Sequence, residues 1–80
     1  MEKRFAVRRR TNNMYALYMQ NEETYNWDCV SGDFDLLLKA NDFAKYVAKE
    51  VSKENKCYVV AYGLGGYSIA RYLNGEEYNK

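Results

Sequence analysis

Three consecutive arginines, Arg8, Arg9 and Arg10, adjoin tyrosine-bearing segments in a chain with nine tyrosines, one tryptophan and three phenylalanines, but no histidine and no proline. Arginine grips phosphate through a fork of donors, and exposed tyrosine stacks on bases. Together they suit a sheet surface that binds single-stranded nucleic acid. The same residue types also build protein interfaces, whose buried centres are enriched in Tyr, Trp and Arg. Tyrosine serves both uses because it brings a rigid ring, a polar tip and only two torsions to freeze.

Other residues with reactive side chains do not assemble into a catalytic set. Asp33 and Asp35 flank Phe34. Two carboxylates so spaced in a strand would lie on one side and could act as acid and base or hold a divalent cation. No partner base accompanies them, and aspartate in a turn has its own backbone-bonding reason to be there. Ser31 and Ser68 have no histidine to activate them. Gly63, Gly65 and Gly66 follow a strand-like run, but a dinucleotide fingerprint needs a third glycine where Ser68 stands, and a helix after it. The residues that follow read as a strand, and no Gly-Lys-Ser/Thr is present, so a hairpin loop is the simpler reading. Cys29 and Cys57 fall short of the four ligands a structural metal site wants. They are expected to be buried free thiols in a reducing compartment. The chemistry implied is binding, with no catalysis, cofactor or metal.

The net charge is +1, with a pI of about 7.7, below the value of about 9 usual for a dedicated nucleic-acid domain. That balance hides a split. Lys3, Arg4, Arg8, Arg9 and Arg10 stand against Glu2 alone, a local +4. Glu22, Glu23, Asp28, Asp33, Asp35 and Asp42 stand against Lys39, a local −5. The split predicts two surfaces of opposite sign.

Elements that would position these residues follow from hydrophobic period. Segment 4–10 reads as a strand with Phe5 and Val7 on one side and Arg4, Arg8 and Arg10 on the other. Thr11-Asn12-Asn13 is a turn cluster. Segment 14–20 alternates again, with Tyr15, Leu17 and Met19 opposite Met14, Ala16 and Tyr18. Segment 24–30 is a third strand, with Tyr25, Trp27 and Cys29 opposite Asn26, Asp28 and Val30. The run around Leu36-Leu37-Leu38 is too short for period to decide, and is read as an extended connection. Asn41 is the expected N-cap of an amphipathic helix over 42–54, with Asp42 in its first turn and Phe43, Val47 and Val51 on its apolar stripe. Segment 57–62 is a central strand, 63–66 a turn, 67–73 a last strand, and 76–80 a frayed tail.

The expected architecture is one α+β domain over 1–80: an antiparallel sheet of about five strands, β-β-β-α-β-β, with one amphipathic helix on one face. Phe5, Leu17, Trp27, Phe43, Val47, Val51, Val59 and Ile69 should form the core. A chain of 80 residues has little area to bury, and homodimerisation is one way to add some. The amino terminus lacks the apolar h-region of a signal peptide, and the longest apolar run is too short to span a bilayer. A soluble, cytoplasmic protein is expected.

The outward sheet positions collect Arg8, Arg10, Tyr18 and Tyr72, with Tyr58 or Tyr62 depending on register. With acids Asp28, Asp33 and Asp35 they form the expected partner-binding set. In build the chain resembles small phage-encoded inhibitors of the anti-CRISPR type: a single small α+β domain, few aliphatics, many tyrosines, acids at Glu22, Glu23, Asp28, Asp33 and Asp35, and no catalytic set. The resemblance implies a stoichiometric protein binder that acts inside a bacterial host and blocks a nuclease or ribonucleoprotein, with acidic side chains standing in for phosphates. The basic amino-terminal segment departs from that acidic pattern. The alternative is a small single-stranded nucleic-acid binder that uses an Arg/Tyr sheet surface.

Overall fold

Phe5 and Val7 are apolar at a spacing of two and flanked by arginines, which suits a strand with one dry face. In the computed structural model, which describes residues 2–78, they centre the strand β1 (Glu2–Arg9). A tight turn follows, with Asn13 in the left-handed region (φ 63), where asparagine is tolerated. The chain returns antiparallel as β2 (Tyr15–Gln20), pairing Phe5 with Met19 and Val7 with Leu17. A short strand β3 (Trp27–Cys29) adds to the outer side of β2. Helix α1 (Leu37–Asn55) then crosses one face and delivers β4 (Tyr58–Tyr62) beside β1. Strands β5 (Ser68–Leu73) and β6 (Glu76–Glu77) complete a six-stranded sheet of order β3-β2-β1-β4-β5-β6.

The α+β class and the single helix on one sheet face agree with the sequence. Four corrections follow. The sheet is mixed, because β1 and β4 run parallel, Phe5 beside Ala61. A helical crossover is what allows that pairing, since parallel neighbours need a long connection. The helix begins at Leu37, so Asn41 and Asp42 lie inside it. Its N-cap is Leu36, which makes no side-chain cap bond. Asn41 does not cap anything; its Oδ1 is buried without a hydrogen-bond partner among the described residues. The tail is not frayed at Glu76 and Glu77, which pair with Leu73 and Tyr72; residues 79 and 80 lie outside the described residues. Trp27 is not in the core, for reasons of register given below.

The dry side of the sheet packs Phe5, Val7, Leu17, Val59, Ala61, Ala70 and Tyr72 under the helix. The helix meets them with a stripe of small residues, Ala40, Ala44, Ala48 and Ser52, all fully buried. Small side chains at four-residue spacing let the helix sit close to the sheet. Phe43, Val47 and Val51 flank that stripe and are half-buried against the core. Phe43 tilts against Phe34, ring centroids 5.3 Å apart. The buried hydroxyl of Ser52 donates to the Lys49 carbonyl at 2.8 Å and accepts from the Gly75 amide at 2.9 Å. It therefore ties the last helical turns to the β5–β6 turn, and its own oxygen is fully satisfied.

Candidate functional site

Register decides which residues share the helix-free face. Opposed residues in a pair lie on the same side of a sheet, so each pairing carries the face of one strand to the next. From β1 the open side takes Arg4, Ala6 and Arg8. From β2 it takes Ala16, Tyr18 and Gln20, opposite Arg8, Ala6 and the strand end. Gln20 in turn faces Trp27, and Tyr18 faces Cys29, so Trp27 and Cys29 lie on this open side. On the other flank, Ala6 lies beside Tyr62, Arg4 beside Val60 and Glu2 beside Tyr58. Arg71 and Leu73 continue the face on β5. Tyr58 and Tyr62 have the same parity, so both are on it.

The assembled face holds Trp27, Tyr18, Tyr62 and Tyr58, all half-buried, around exposed arginines. The Arg8 guanidinium lies 5.0 Å from the Trp27 ring centroid and 5.8 Å from that of Tyr18. Such cation–π contacts are worth roughly 0.5–1 kcal/mol at an exposed site, enough to favour one orientation of the arginine. Arg8 has no carboxylate partner among the described residues. Arg4 is different: its guanidinium donates to Glu2 Oε1 at 2.9 Å, and that bond raises its already high pKa. Tyr58 is steadied by Tyr78, edge to face at 5.9 Å. A groove of about 450 Å³ runs through the cluster, walled by Arg4, Ala6, Arg8, Trp27, Tyr62 and the Gly63–Gly66 turn. A second hollow of about 370 Å³, walled by Glu2, Gln20, Glu22 and Tyr25, shares Arg4 with it.

The glycine turn is a hairpin loop, as its sequence predicts. Its own hydrogen bonds use the amides of Gly63, to the Tyr67 carbonyl at 2.7 Å, and of Gly66, to the Gly63 carbonyl at 3.1 Å. Gly66 sits at φ +87 with open space where a Cβ would be. The backbone there can approach a neighbouring group closely.

Tyr72 is not on this face. It is 7 % exposed, packs in the core and pairs with Val59. The cause is a β-bulge at Ala61/Tyr62, where Ile69 is the extra residue on β5. A bulge resets alternation, so both Ile69 and the residues Ala70 and Tyr72 turn inward. Burial pushes the Tyr72 phenol above its ordinary value of 10, with Glu77 adding to the shift. Trp27 is the converse correction: a period of two separates the two faces of a strand but does not say which is dry.

The acidic residues do not gather. Asp28 is exposed and faces Met19, on the helix side of the edge strand and away from Arg8. Asp33 pairs with Arg10, Oδ1 to Nε at 3.4 Å, and accepts from the Asn12 amide at 2.9 Å. Asp35 pairs with Lys39 at 3.2 Å, one helical turn on; that hydrogen bond lowers its pKa below the usual carboxylate value. Arg10, beyond the end of β1, also donates to Cys29 Sγ at 3.1 Å, so it is held at the sheet edge. The two charged segments are thus interleaved by Arg10–Asp33 and by Lys3–Glu22 at 3.1 Å. They do not form two opposed surfaces. Cys57 is buried, but Cys29 is exposed, and both are free.

Of the residues expected to bind a partner, the structure brings together Arg8, Tyr18, Tyr58 and Tyr62. It places Arg10 at the rim of the same face, ties Asp33 and Asp35 to neighbouring cations, and removes Tyr72 and Asp28. Sequence reasoning missed Trp27, Arg4 as a groove wall, and the glycine turn as a second wall. Arg4 shares the parity of Arg8 and was within reach; Trp27 needed the Gln20 pairing. Compared with known proteins, the chain matches no family model, no curated protein and no solved structure. No helix among the described residues is long and apolar enough to cross a membrane.

Proposed function

We propose that this protein is a non-catalytic binding module that acts stoichiometrically, blocking a nucleic-acid-handling complex such as a CRISPR nuclease, with the open sheet face as its contact surface. One observation carries the reading. The face that no helix covers concentrates the tryptophan, three tyrosines and a guanidinium without a carboxylate partner. A sheet face with no function to serve is normally polar where water meets it. Rings packed around arginine are instead the composition of binding hot spots. The likeness in build to phage inhibitors supports the blocking role and an intracellular site of action in a bacterial host. Phosphate mimicry by the acids has little support, because Asp33 and Asp35 are each engaged by a cation of the same chain.

The test is affinity capture from bacterial lysate, with captured proteins identified by mass spectrometry. The bait is compared with a Tyr18→Ala/Tyr58→Ala variant and with a Leu38→Ala/Tyr46→Ala control on the exposed side of the helix. The expected result is a nuclease or ribonucleoprotein held by wild type and control and lost by the open-face variant. Added at equal molarity, the protein should stop the cleavage activity of the captured complex. Capture that survives the open-face substitutions but fails with the helix control would overturn the assignment of the surface.

A further inference from the structure

We infer that the groove between Arg8 and the glycine turn holds one unpaired nucleotide, so that what the open face grips in its partner complex is single-stranded nucleic acid. This rests on the reading of that face as the contact surface, and it adds the chemistry of what is bound.

The argument begins with Arg8. A guanidinium is a flat cation, and here its carbon lies 5.0 Å from the Trp27 ring centroid and 5.8 Å from that of Tyr18. Its residue remains exposed. No carboxylate neutralises it among the described residues, whereas Arg4 and Arg10 on the same strand and its extension have Glu2 and Asp33. An uncompensated cation held on aromatic rings favours a ligand that is negative and planar at once. A nucleobase stacks on guanidinium planes and on aromatic faces, and its phosphate supplies the charge. A carboxylate side chain supplies charge without a plane, and an apolar side chain supplies neither.

The other wall fits the same ligand. Tyr62 offers a second ring across the groove. The turn beyond it leaves the amides of Leu64 and Gly65 without an intramolecular acceptor among the described residues. Backbone amides in a glycine-rich turn receive phosphate oxygens well, because no side chain keeps the anion away. The groove's 450 Å³ falls within the span of small-ligand sites, roughly 300–1,000 Å³. It is open at the surface, as a strand passing through requires. Duplex nucleic acid cannot use it, since paired bases keep their faces inside the stack.

Trp27 is the single tryptophan of the chain, so intrinsic fluorescence reports occupancy of this groove directly. The experiment titrates the intact protein with ten-nucleotide single-stranded DNA, single-stranded RNA of the same sequence, and the matching DNA duplex, following Trp27 emission and the anisotropy of labelled strands. Quenching of Trp27 and saturable binding by single strands are expected, with the duplex at least tenfold weaker and affinity falling as salt rises. The DNA and RNA arms say which sugar is preferred, and a preference for either supports the site. Arg8→Ala and Tyr62→Ala should each weaken single-strand binding by about tenfold, the loss of one stacking partner. Arg8→Lys, which keeps the charge without the plane, should recover less than half of that loss in logarithmic terms. Circular dichroism spectra of all variants must match wild type; Arg8→Lys and Tyr62→Phe serve as folded comparisons should either alanine variant lose structure. No quenching by either single strand at low salt would overturn the inference. So would duplex binding equal to single-strand binding, or full recovery by lysine. Should the strands fail while face-dependent capture of a complex persists, the contact surface stands and only the nucleotide is removed from it.

Discussion

The two faces of the sheet are built from different residues to different ends. The covered face is mostly aliphatic and small, with two rings among them: Phe5, Val7, Leu17, Val59, Ala61, Ala70 and Tyr72 below, Ala40, Ala44 and Ala48 above. The open face is aromatic and cationic: Trp27, Tyr18, Tyr58 and Tyr62 around Arg4, Arg8 and Arg71. In a chain this small the large rings would be the obvious material for a core. Most are held away from it, and the helix instead makes close contact through alanines. Burial is concentrated on one face, which leaves the other open to solvent.

The largest effect should come from the covered side. Leu17→Ala removes a fully buried side chain and should lower unfolding free energy by about 2–5 kcal/mol in urea denaturation. By contrast, Tyr18→Ala on the adjacent position removes a half-buried open-face ring and should cost about 1 kcal/mol or less, mainly its contact with Arg8. Equal losses at the two neighbours would break the division between the faces. Next in size is Gly75→Ala. Gly75 holds φ +84, and a Cβ there would lie 3.1 Å from the Lys53 Cβ, so a loss of about 1–2 kcal/mol is expected. It would show that the helix end is locked to the β5–β6 turn.

Tyr72 sharpens the comparison by pH. Its folded pKa is raised by burial, so the native state holds its proton where the unfolded chain has released it. Stability from this group is full below the unfolded value and falls as pH climbs past it. Denaturation midpoints between pH 9 and 11 should decline less steeply in Tyr72→Phe than in wild type. The smallest effect is expected for Asp33→Asn. Exposed ion pairs such as Arg10–Asp33 contribute about 0–1 kcal/mol, and a shift within that range in thermal or urea unfolding would confirm that the interleaved charges are peripheral to stability.

Much of this division was legible in the residues. Phe5 and Val7 against Arg4 and Arg8, and Leu17 against Tyr18, fall on the sides that their alternation implies. The helix was legible too, but its start was hidden: Leu36-Leu37-Leu38 suits strand and helix equally, and Asn41 carries the chemistry of a cap without serving as one. Tyr72 and Trp27 exchanged their expected places for one reason. Period two is a relative signal, and its sign is set by pairing partners and by bulges that leave no local mark. The parallel β1–β4 contact was beyond reach because it depends on where a helix sets down its far end. The candidate groove was only half legible, since its two walls come from segments more than fifty positions apart, Arg8 and Tyr62 among them.

That separation has a consequence for how the molecule comes apart. The chain divides into two contiguous halves, β1-β2-β3 and α1-β4-β5-β6, joined along the β1–β4 seam and by the packing of α1 on the first two strands. Arg4, Arg8 and Trp27 belong to the first half, and Tyr62 with the glycine turn to the second. The groove does not exist in either half alone; it appears when the seam closes and vanishes when it opens. Any occupant therefore acts as a clasp across the β1–β4 join, slowing its opening as well as filling a hollow on its surface.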